Sequence, residues 1–197
     1  MNIKQFFQCH DGNASYISDR KHFCLLCGNK LEHFNDSTHR RLRCPRCNWT
    51  YYRNPSPGVV VLIVKRERVL LGKRASGIYG GDKWCLPGGF IEYEENFLNA
   101  ALREVREETG FQIKLDAILN VVTNFLSENI HTLVIVLLGS IIDGVQTPGD
   151  DIIGLEWFPL TGPLPDMAFE ADQHIIEMYW QKNITGLPVD SEFAKMY

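Results

Sequence analysis

Six glutamates lie between residues 92 and 108, and three of them share one face of a predicted helix. The six are Glu92, Glu94, Glu95, Glu104, Glu107 and Glu108. At about 100° per residue, Glu107 and Glu108 lie about 60° and 40° to either side of Glu104. Like charges at this spacing repel each other, and a divalent cation such as Mg²⁺ or Mn²⁺ removes the repulsion. An ordinary solvated acidic face is the alternative.

The residues around these glutamates favour the metal site. The pattern reads Gly89-x5-Glu95-x7-Arg103-Glu104-Val105-x-Glu107-Glu108-x-Gly110-Phe111. It resembles the Nudix box at every constrained position, and fixed gaps across many positions are far more specific than a lone glycine motif. The preceding Trp84-x-Leu86-Pro87-Gly88-Gly89 and Lys73-Arg74 are also similar to that family, whereas Glu94 stands where a glycine is usual.

The resemblance implies an α/β/α sandwich and hydrolysis of a nucleoside diphosphate linked to another group. Glu104, Glu107 and Glu108 would be the ligands of Mg²⁺ or Mn²⁺, joined by the carbonyl of Gly89. Glu95 and Arg103 would pair and hold the loop–helix geometry, and Glu95 would also reach the metal through water. Bound cations would neutralise the pyrophosphate and lower the pKa of the attacking water.

The general base is less well defined, because its place varies within the family. One of the box glutamates is an option. Asp150 and Asp151 lie in a loop before Trp157, where many relatives carry such an acid, and Asp151 is our prediction; a solvated turn is the alternative. Glu156 and Glu170 are weaker candidates. The basic pair Lys73-Arg74 would either face phosphates or be an edge-strand charge.

Two CxxC pairs predict a structural zinc site. Cys24 and Cys27 form the first pair and Cys44 and Cys47 the second, with 16 residues between the pairs. This spacing is typical of a tetrahedral zinc site in which all four ligands are protein thiolates. Two disulfides or a redox motif are the alternatives, and the absence of a secretory signal disfavours them. Cys85 is predicted to be a small buried residue, and Cys9 also lies outside the pattern.

Hydrophobic patterning places these residues on strands and helices. Strands are predicted over residues 59–64, 69–72, 84–86, 113–124, 131–142 and 155–160, and helices over 96–109 and 168–181. The order predicts an α+β fold in which helices enclose a mixed sheet, preceded by a small zinc ribbon. The predicted segments are an N-terminal tail (1–21), the ribbon (22–50), a linker (51–57), the catalytic domain (58–182) and a C-terminal tail (183–197).

Charge and hydropathy limit the range of partners. The segment from Arg20 to Arg53 carries eight basic and two acidic residues, a formal charge of +6. The whole chain has a net charge of −4, so the rest of the chain carries −10. A basic ribbon is compatible with nucleic acid, although a solvated surface is the alternative. Without a signal sequence or a long apolar run, we expect a soluble cytoplasmic protein without a membrane partner. The family resemblance also suggests a homodimer.

A zinc ribbon ahead of a Nudix box resembles two subgroups. The NADH pyrophosphatases carry a Ser-Gln-Pro-Trp-Pro-Phe-Pro motif after the box, whereas residues 121–127 here read Val-Val-Thr-Asn-Phe-Leu-Ser. A shorter subgroup has the ribbon followed by Tyr-x-Asn-Pro, as in residues 52–55, and is linked to ADP-ribose or FAD hydrolysis. ADP-ribose or a dinucleotide is therefore the predicted substrate. NADH hydrolysis, or a nucleotide-sensing or RNA-binding module without turnover, is the alternative.

Overall fold

The computed structural model describes residues 22–35, 40–127 and 130–189. Its N-terminal part is a three-stranded antiparallel sheet of β1 (Glu32–Asn35), β2 (Arg40–Arg43) and β3 (Thr50–Tyr51). Leu31 and Leu42 are the buried aliphatic side chains of this unit and pack with Cys24 and Cys44. So small an apolar core requires a further source of folding free energy.

A mixed sheet forms the centre of the larger part. Its strands are β4 (Ser56–Lys65), β5 (Arg68–Arg74), β6 (Trp84–Cys85), β7 (Phe111–Ser127), β8 (Ile130–Gly144), β9 (Ile152–Pro159) and β10 (Leu187–Pro188). The order is β10-β7-β8-β4-β5-β6, and β9 also pairs with β5. β4 runs parallel to β8, with Ser56 opposite Thr132 and Ile63 opposite Gly139, and the other pairings are antiparallel.

Alternating side chains on β4 supply the cores on both faces of the sheet. Val59, Val61 and Ile63 pack with residues of helix α1 (Phe97–Thr109). Leu62 packs with residues of helix α2 (Glu170–Lys182) on the other face. A strand buried on both faces appears in sequence as an unbroken apolar run, which explains residues 59–64. The mixed sheet between two helices confirms the predicted fold class.

Helix α1 begins and ends as its sequence predicts. The Asn96 side chain accepts hydrogen bonds from the amides of Leu98 and Asn99 and so caps the N-terminus. Gly110 ends the helix in the left-handed conformation, with a φ of 72°. The helix face next to the acidic cluster packs on the sheet, and its five members are all buried: Leu98, Ala101, Leu102, Val105 and Thr109.

The structure differs from the predicted linker and C-terminal tail. Tyr51 lies in β3, and Ser56 and Pro57 already pair with β8, since a proline near the start of a strand removes little hydrogen bonding. After α2, the side chain of Ile184 is buried, and Leu187 pairs with Ile118 of β7. In the described ranges no helix is long and apolar enough to cross a membrane. Cys9 lies outside the described residues.

Candidate active site

A cleft with a cavity volume of about 450 Å³ lies where α1, β4, β7, β8 and the loop after β6 meet. Glu104, Glu107 and Glu108 all line it, together with Gly89 and Arg103. The fixed spacing within α1 explains why three carboxylates reach one cleft. The structure therefore brings most of the predicted catalytic residues together.

Arg103 lies at the centre of the acidic cluster. Its Nε and Nη2 donate to the two carboxylate oxygens of Glu95 at 3.1 and 2.5 Å. Its Nη1 donates to Glu104 at 2.8 Å and to Glu107 at 3.1 Å, and Nη2 also donates to the carbonyl of Phe90 at 3.2 Å. The hydrogen bond from Arg103 lowers the pKa of Glu95. One guanidinium thus connects three carboxylates with the loop before the helix.

Glu104 and Glu108 are buried carboxyl groups. Glu108 is 2% exposed, and one oxygen accepts a hydrogen bond from the Gly88 amide at 2.8 Å. Burial raises the pKa of Glu108 well above its ordinary value, and the negative charges of Asp151 and Glu104 add to this. Burial also raises the pKa of Glu104, despite the opposing effect of Arg103. A cation bound beside them would offset the cost of burial and favour the ionised form of both groups.

The carboxylate oxygens of the three helix glutamates do not lie close enough together to bind one metal ion in this arrangement. Among the described residues, the group whose ligand atoms all lie within 4.8 Å of one another consists of four cysteines and not of the glutamates. Glu104 and Glu107 are held by Arg103, whereas Glu108 turns towards Gly88. A cation shared by all three would therefore require these side chains to reorient.

Gly89 lies directly against the Glu104 carboxylate. A Cβ atom at residue 89 would be 2.5 Å from Glu104 Oε1 and 2.6 Å from Cδ. The carbonyl of Gly89 accepts a hydrogen bond from the Val59 amide at 2.9 Å, which fixes the loop to β4. A glycine is therefore required here because the carboxylate occupies the position of a side chain.

Asp151 also lines the cleft. Its Oδ2 accepts a hydrogen bond from Arg74 Nη2 at 2.9 Å, and its negative charge contributes to the raised pKa of Glu108. Asp150 lines the cleft too, but Glu156 and Glu170 do not. Of the basic pair, Arg74 lines the cleft and Lys73 does not.

The other half of the cleft is mainly apolar. Val60 and Leu86 line it, together with Val122 and Val134 from the paired strands β7 and β8. Phe169 lies at one side, where its ring stacks on Tyr79 with centroids 5.9 Å apart and an interplanar angle of 18°. A flat hydrophobic ligand group suits this half, and charged phosphates suit the acidic half.

Asp172 is a buried acid in the cleft wall that the sequence analysis did not identify. It is 4% exposed, lines the cleft and accepts a hydrogen bond from the Leu86 amide at 2.9 Å. Burial raises the pKa of Asp172 to about 7, although this hydrogen bond and the charge of Arg74 oppose the shift. Its position in the apolar face of α2 was the available signal, because an acid there is buried only where a polar group meets it.

The four predicted cysteines converge in the N-terminal unit. Cys24 and Cys47 Sγ lie 3.5 Å apart, as do those of Cys27 and Cys44, and Cys27 and Cys47 Sγ are 3.7 Å apart. Four thiolates at ~2.3 Å from one tetrahedral ion would be separated by roughly 3.8 Å. The group can therefore hold one metal ion. Cys85, by contrast, is buried in the sheet, as predicted.

Comparison with known proteins gives consistent matches. The model of the NUDIX domain family matches residues 54–179. An ADP-ribose pyrophosphatase of Methanocaldococcus jannaschii is 34% identical over 133 residues, which cover 67% of this chain and 78% of that protein. The NAD-capped RNA hydrolase NudC of Pseudomonas aeruginosa is 29% identical over 177 residues, covering 87% of this chain but 61% of that protein.

Comparison with solved structures finds the same family as the sequence comparison. A crystal structure of a NUDIX hydrolase from Nitrosomonas europaea superposes with a TM-score of 0.73 at 27% sequence identity, and the match covers 85% of this chain and 94% of that one. Because most of this chain is covered, the likeness extends beyond the domain that the family model matches.

Proposed function

The chain belongs to the Nudix hydrolase family, and we propose that it cleaves the pyrophosphate bond of ADP-ribose, or of a dinucleotide such as FAD, and releases AMP. The observation that carries this proposal is the composition of the cleft. Three glutamates of α1 and an apolar wall line the same cavity. A nucleotide has the same division, because its base is flat and apolar and its diphosphate is charged.

The acidic half fits Mg²⁺ or Mn²⁺. Glu104, Glu107 and Glu108 would supply carboxylate oxygens, and Gly89 would supply its carbonyl. When bound, the ion would neutralise the diphosphate and acidify a coordinated water. The buried and nearly unpaired Glu108 supports this fit, because its negative charge otherwise has little compensation in the described structure.

The reaction needs water, a base and fixed geometry. A water oxygen forms a bond to one phosphorus while the bridging P–O bond breaks, so ADP-ribose gives AMP and ribose 5-phosphate. Asp151 would take the water's proton, and Arg74 would hold Asp151 in place through their 2.9 Å ion pair. Arg103 would orient Glu95 and keep the Phe90 carbonyl, next to Gly89, against the helix.

The ion at the four cysteines would be a structural zinc. All four ligand positions are filled by Cys24, Cys27, Cys44 and Cys47, so no position is open for a substrate. Zinc binding would supply the folding free energy that Leu31 and Leu42 cannot provide alone.

A substrate panel tests the proposal. The purified protein is incubated with ADP-ribose, FAD and NADH, each with Mg²⁺ or Mn²⁺, and AMP is quantified. We expect AMP from ADP-ribose or FAD, and a fall of several orders of magnitude for Glu107→Gln. The Glu107 side chain is half exposed, so this substitution should leave the fold intact. Glu94→Gln is the matched control, since Glu94 is exposed and does not line the cleft. Absence of AMP from every substrate would exclude this substrate class.

A second candidate substrate is NADH or a nucleotide-capped RNA. The likeness to the Pseudomonas protein named as an NAD-capped RNA hydrolase supports it. The N-terminal unit also offers three arginines in β2, Arg40, Arg41 and Arg43, whose positive charges suit phosphates. Salt-sensitive RNA binding that Arg41→Ala weakens would favour this candidate.

Dimerisation stays a prediction, which light scattering tests.

A further inference from the structure

One carboxylate oxygen of Asp172 accepts a hydrogen bond from the protein, and the other does not. The Leu86 amide donates to Oδ2 at 2.9 Å. Within residues 22–35, 40–127 and 130–189, no protein group donates a hydrogen bond to Oδ1. The residue is nonetheless 4% exposed and lines the cleft. Among the described residues, Oδ1 does not belong to the side-chain oxygens that are both buried and unpaired. This oxygen is therefore open to the cleft, where a donor group of a ligand can reach it.

The surroundings of Asp172 suit a nucleobase. Leu86, Val122 and Val134 form apolar walls of this half of the cleft, and Phe169 adds an aromatic ring. Aromatic and aliphatic walls bind the faces of a flat ring and leave recognition of its edge to a few polar groups. The Leu86 amide that binds Asp172 lies two residues before the Gly88 amide that binds Glu108, so a base beside Asp172 would leave the diphosphate next to the box glutamates.

We propose that Asp172 is a specificity-determining residue whose free carboxylate oxygen accepts a hydrogen bond from the exocyclic amino group of the substrate's base. This inference rests on the proposed function and names the class of base that the site prefers. Adenine presents an amino group at its 6-position, whereas hypoxanthine presents a carbonyl oxygen there. A carboxylate facing that carbonyl leaves two acceptors opposed, so adenine is preferred by about tenfold or more.

An isosteric substitution reverses the polarity of this contact. In Asp172→Asn, the amide oxygen still accepts the hydrogen bond from Leu86, which leaves the NH₂ group where the free acceptor had been. The variant should therefore discriminate against the amino group of adenine and accept the carbonyl of hypoxanthine. Measurements are made well above pH 7, where the carboxyl group of the wild type is ionised.

The experiment compares kcat/KM for ADP-ribose and for its hypoxanthine counterpart, inosine diphosphate ribose. We expect the wild type to prefer ADP-ribose by about tenfold or more, and the ratio to fall by at least about tenfold in the variant, mainly through KM. Asp166→Asn is the matched control, because Asp166 is an exposed acid paired with Lys83 outside the cleft. An equal loss for both substrates would show a purely structural role and overturn the inference.

Direct binding separates this inference from the proposed function. Calorimetry with AMP and IMP measures the base preference without turnover. The wild type should bind AMP more tightly, and the variant should lose or reverse that preference. A wild type that shows the preference but hydrolyses neither substrate would reject the proposed function and retain the inference. A wild type without any preference for the adenine compounds overturns the inference, whether or not the variant folds.

Discussion

Replacing Gly89 by alanine should inactivate the enzyme while preserving its fold. The new Cβ atom would lie 2.5 Å from Glu104 Oε1, whereas ordinary contact begins at 3.4 Å, so the carboxylate must retreat by about 0.9 Å. Gly89 does not have a positive φ, and alanine can therefore adopt its backbone conformation. Glu104 is 8% exposed, which restricts where its carboxylate can go.

The displacement translates into a large kinetic effect. A misplacement of about 1 Å in a catalytic constellation costs on the order of 10²-fold in rate, or about 2.7 kcal/mol of transition-state stabilisation. We expect kcat/KM for ADP-ribose at saturating Mg²⁺ to fall by about this factor. The increase in melting temperature on adding Mg²⁺ should also shrink, because Glu104 and the Gly89 carbonyl are proposed ligands of the same ion.

Two other glycines serve as comparisons. A Cβ at Gly154 would be 3.7 Å from Lys73 Cβ, an ordinary contact, so Gly154→Ala should behave as wild type. A Cβ at Gly88 would lie 2.2 Å from the Val59 carbonyl oxygen at a φ of 150°, so Gly88→Ala should disrupt the fold. Wild-type activity of Gly89→Ala would refute the reasoning, because Glu104 would then need no fixed position.

Three further predictions concern other parts of the molecule. Cys44→Ser should remove one equivalent of zinc and unfold the N-terminal unit, detected by metal analysis and by loss of its unfolding transition, while the larger sheet retains its own; an unchanged metal content would contradict this. Asp151→Asn should lower kcat by about 10²- to 10⁴-fold without changing stabilisation by Mg²⁺, and an unchanged kcat would exclude Asp151 as the base. The pKa of Asp172 is raised from 3.8 to about 7, so between these values the folded state keeps a proton that the unfolded state releases. The free energy of unfolding should therefore fall by up to about 4 kcal/mol, relative to Asp172→Asn, as the pH rises from about 4 to about 7. Denaturant titrations across this range measure the difference, and parallel pH profiles would contradict it.

The helices and long strands could be predicted because their sequence signals are local. Asn96 caps α1, Gly110 ends it, and a run of β-branched residues gives a strand buried on both faces. The extent of pairing was not predictable in the same way. The pairing of Leu187 with Ile118 depends on a partner strand nearly 70 residues earlier in the chain, which no local pattern reveals.

In the candidate site, too, some residues could be predicted from local sequence and others depend on the assembled fold. The box glutamates follow from spacing along one helix. The partners of Arg74, in contrast, come from three separate segments: its Nε donates to the Tyr79 carbonyl, its Nη2 to Asp151, and its guanidinium lies 5.5 Å from the Phe169 ring centroid. Only the assembled sheet, in which β5 pairs with β9, brings these segments together. Asp172 was missed for a similar reason, because its hydrogen-bond partner, the Leu86 amide, lies 86 residues earlier in the chain.

The contacts of Arg103 suggest why the eight-residue step from Glu95 to Arg103 is part of the motif. The Glu95 pair uses both carboxylate oxygens, whereas Glu104 and Glu107 share a single guanidinium nitrogen. A cation bound at the box would compete with that nitrogen for Glu104 and Glu107, but it would not disturb the two-point pair with Glu95. Arg103 can therefore release its two neighbours on the helix and still hold the loop before it, so that Gly89 stays beside the Glu104 carboxylate during the exchange.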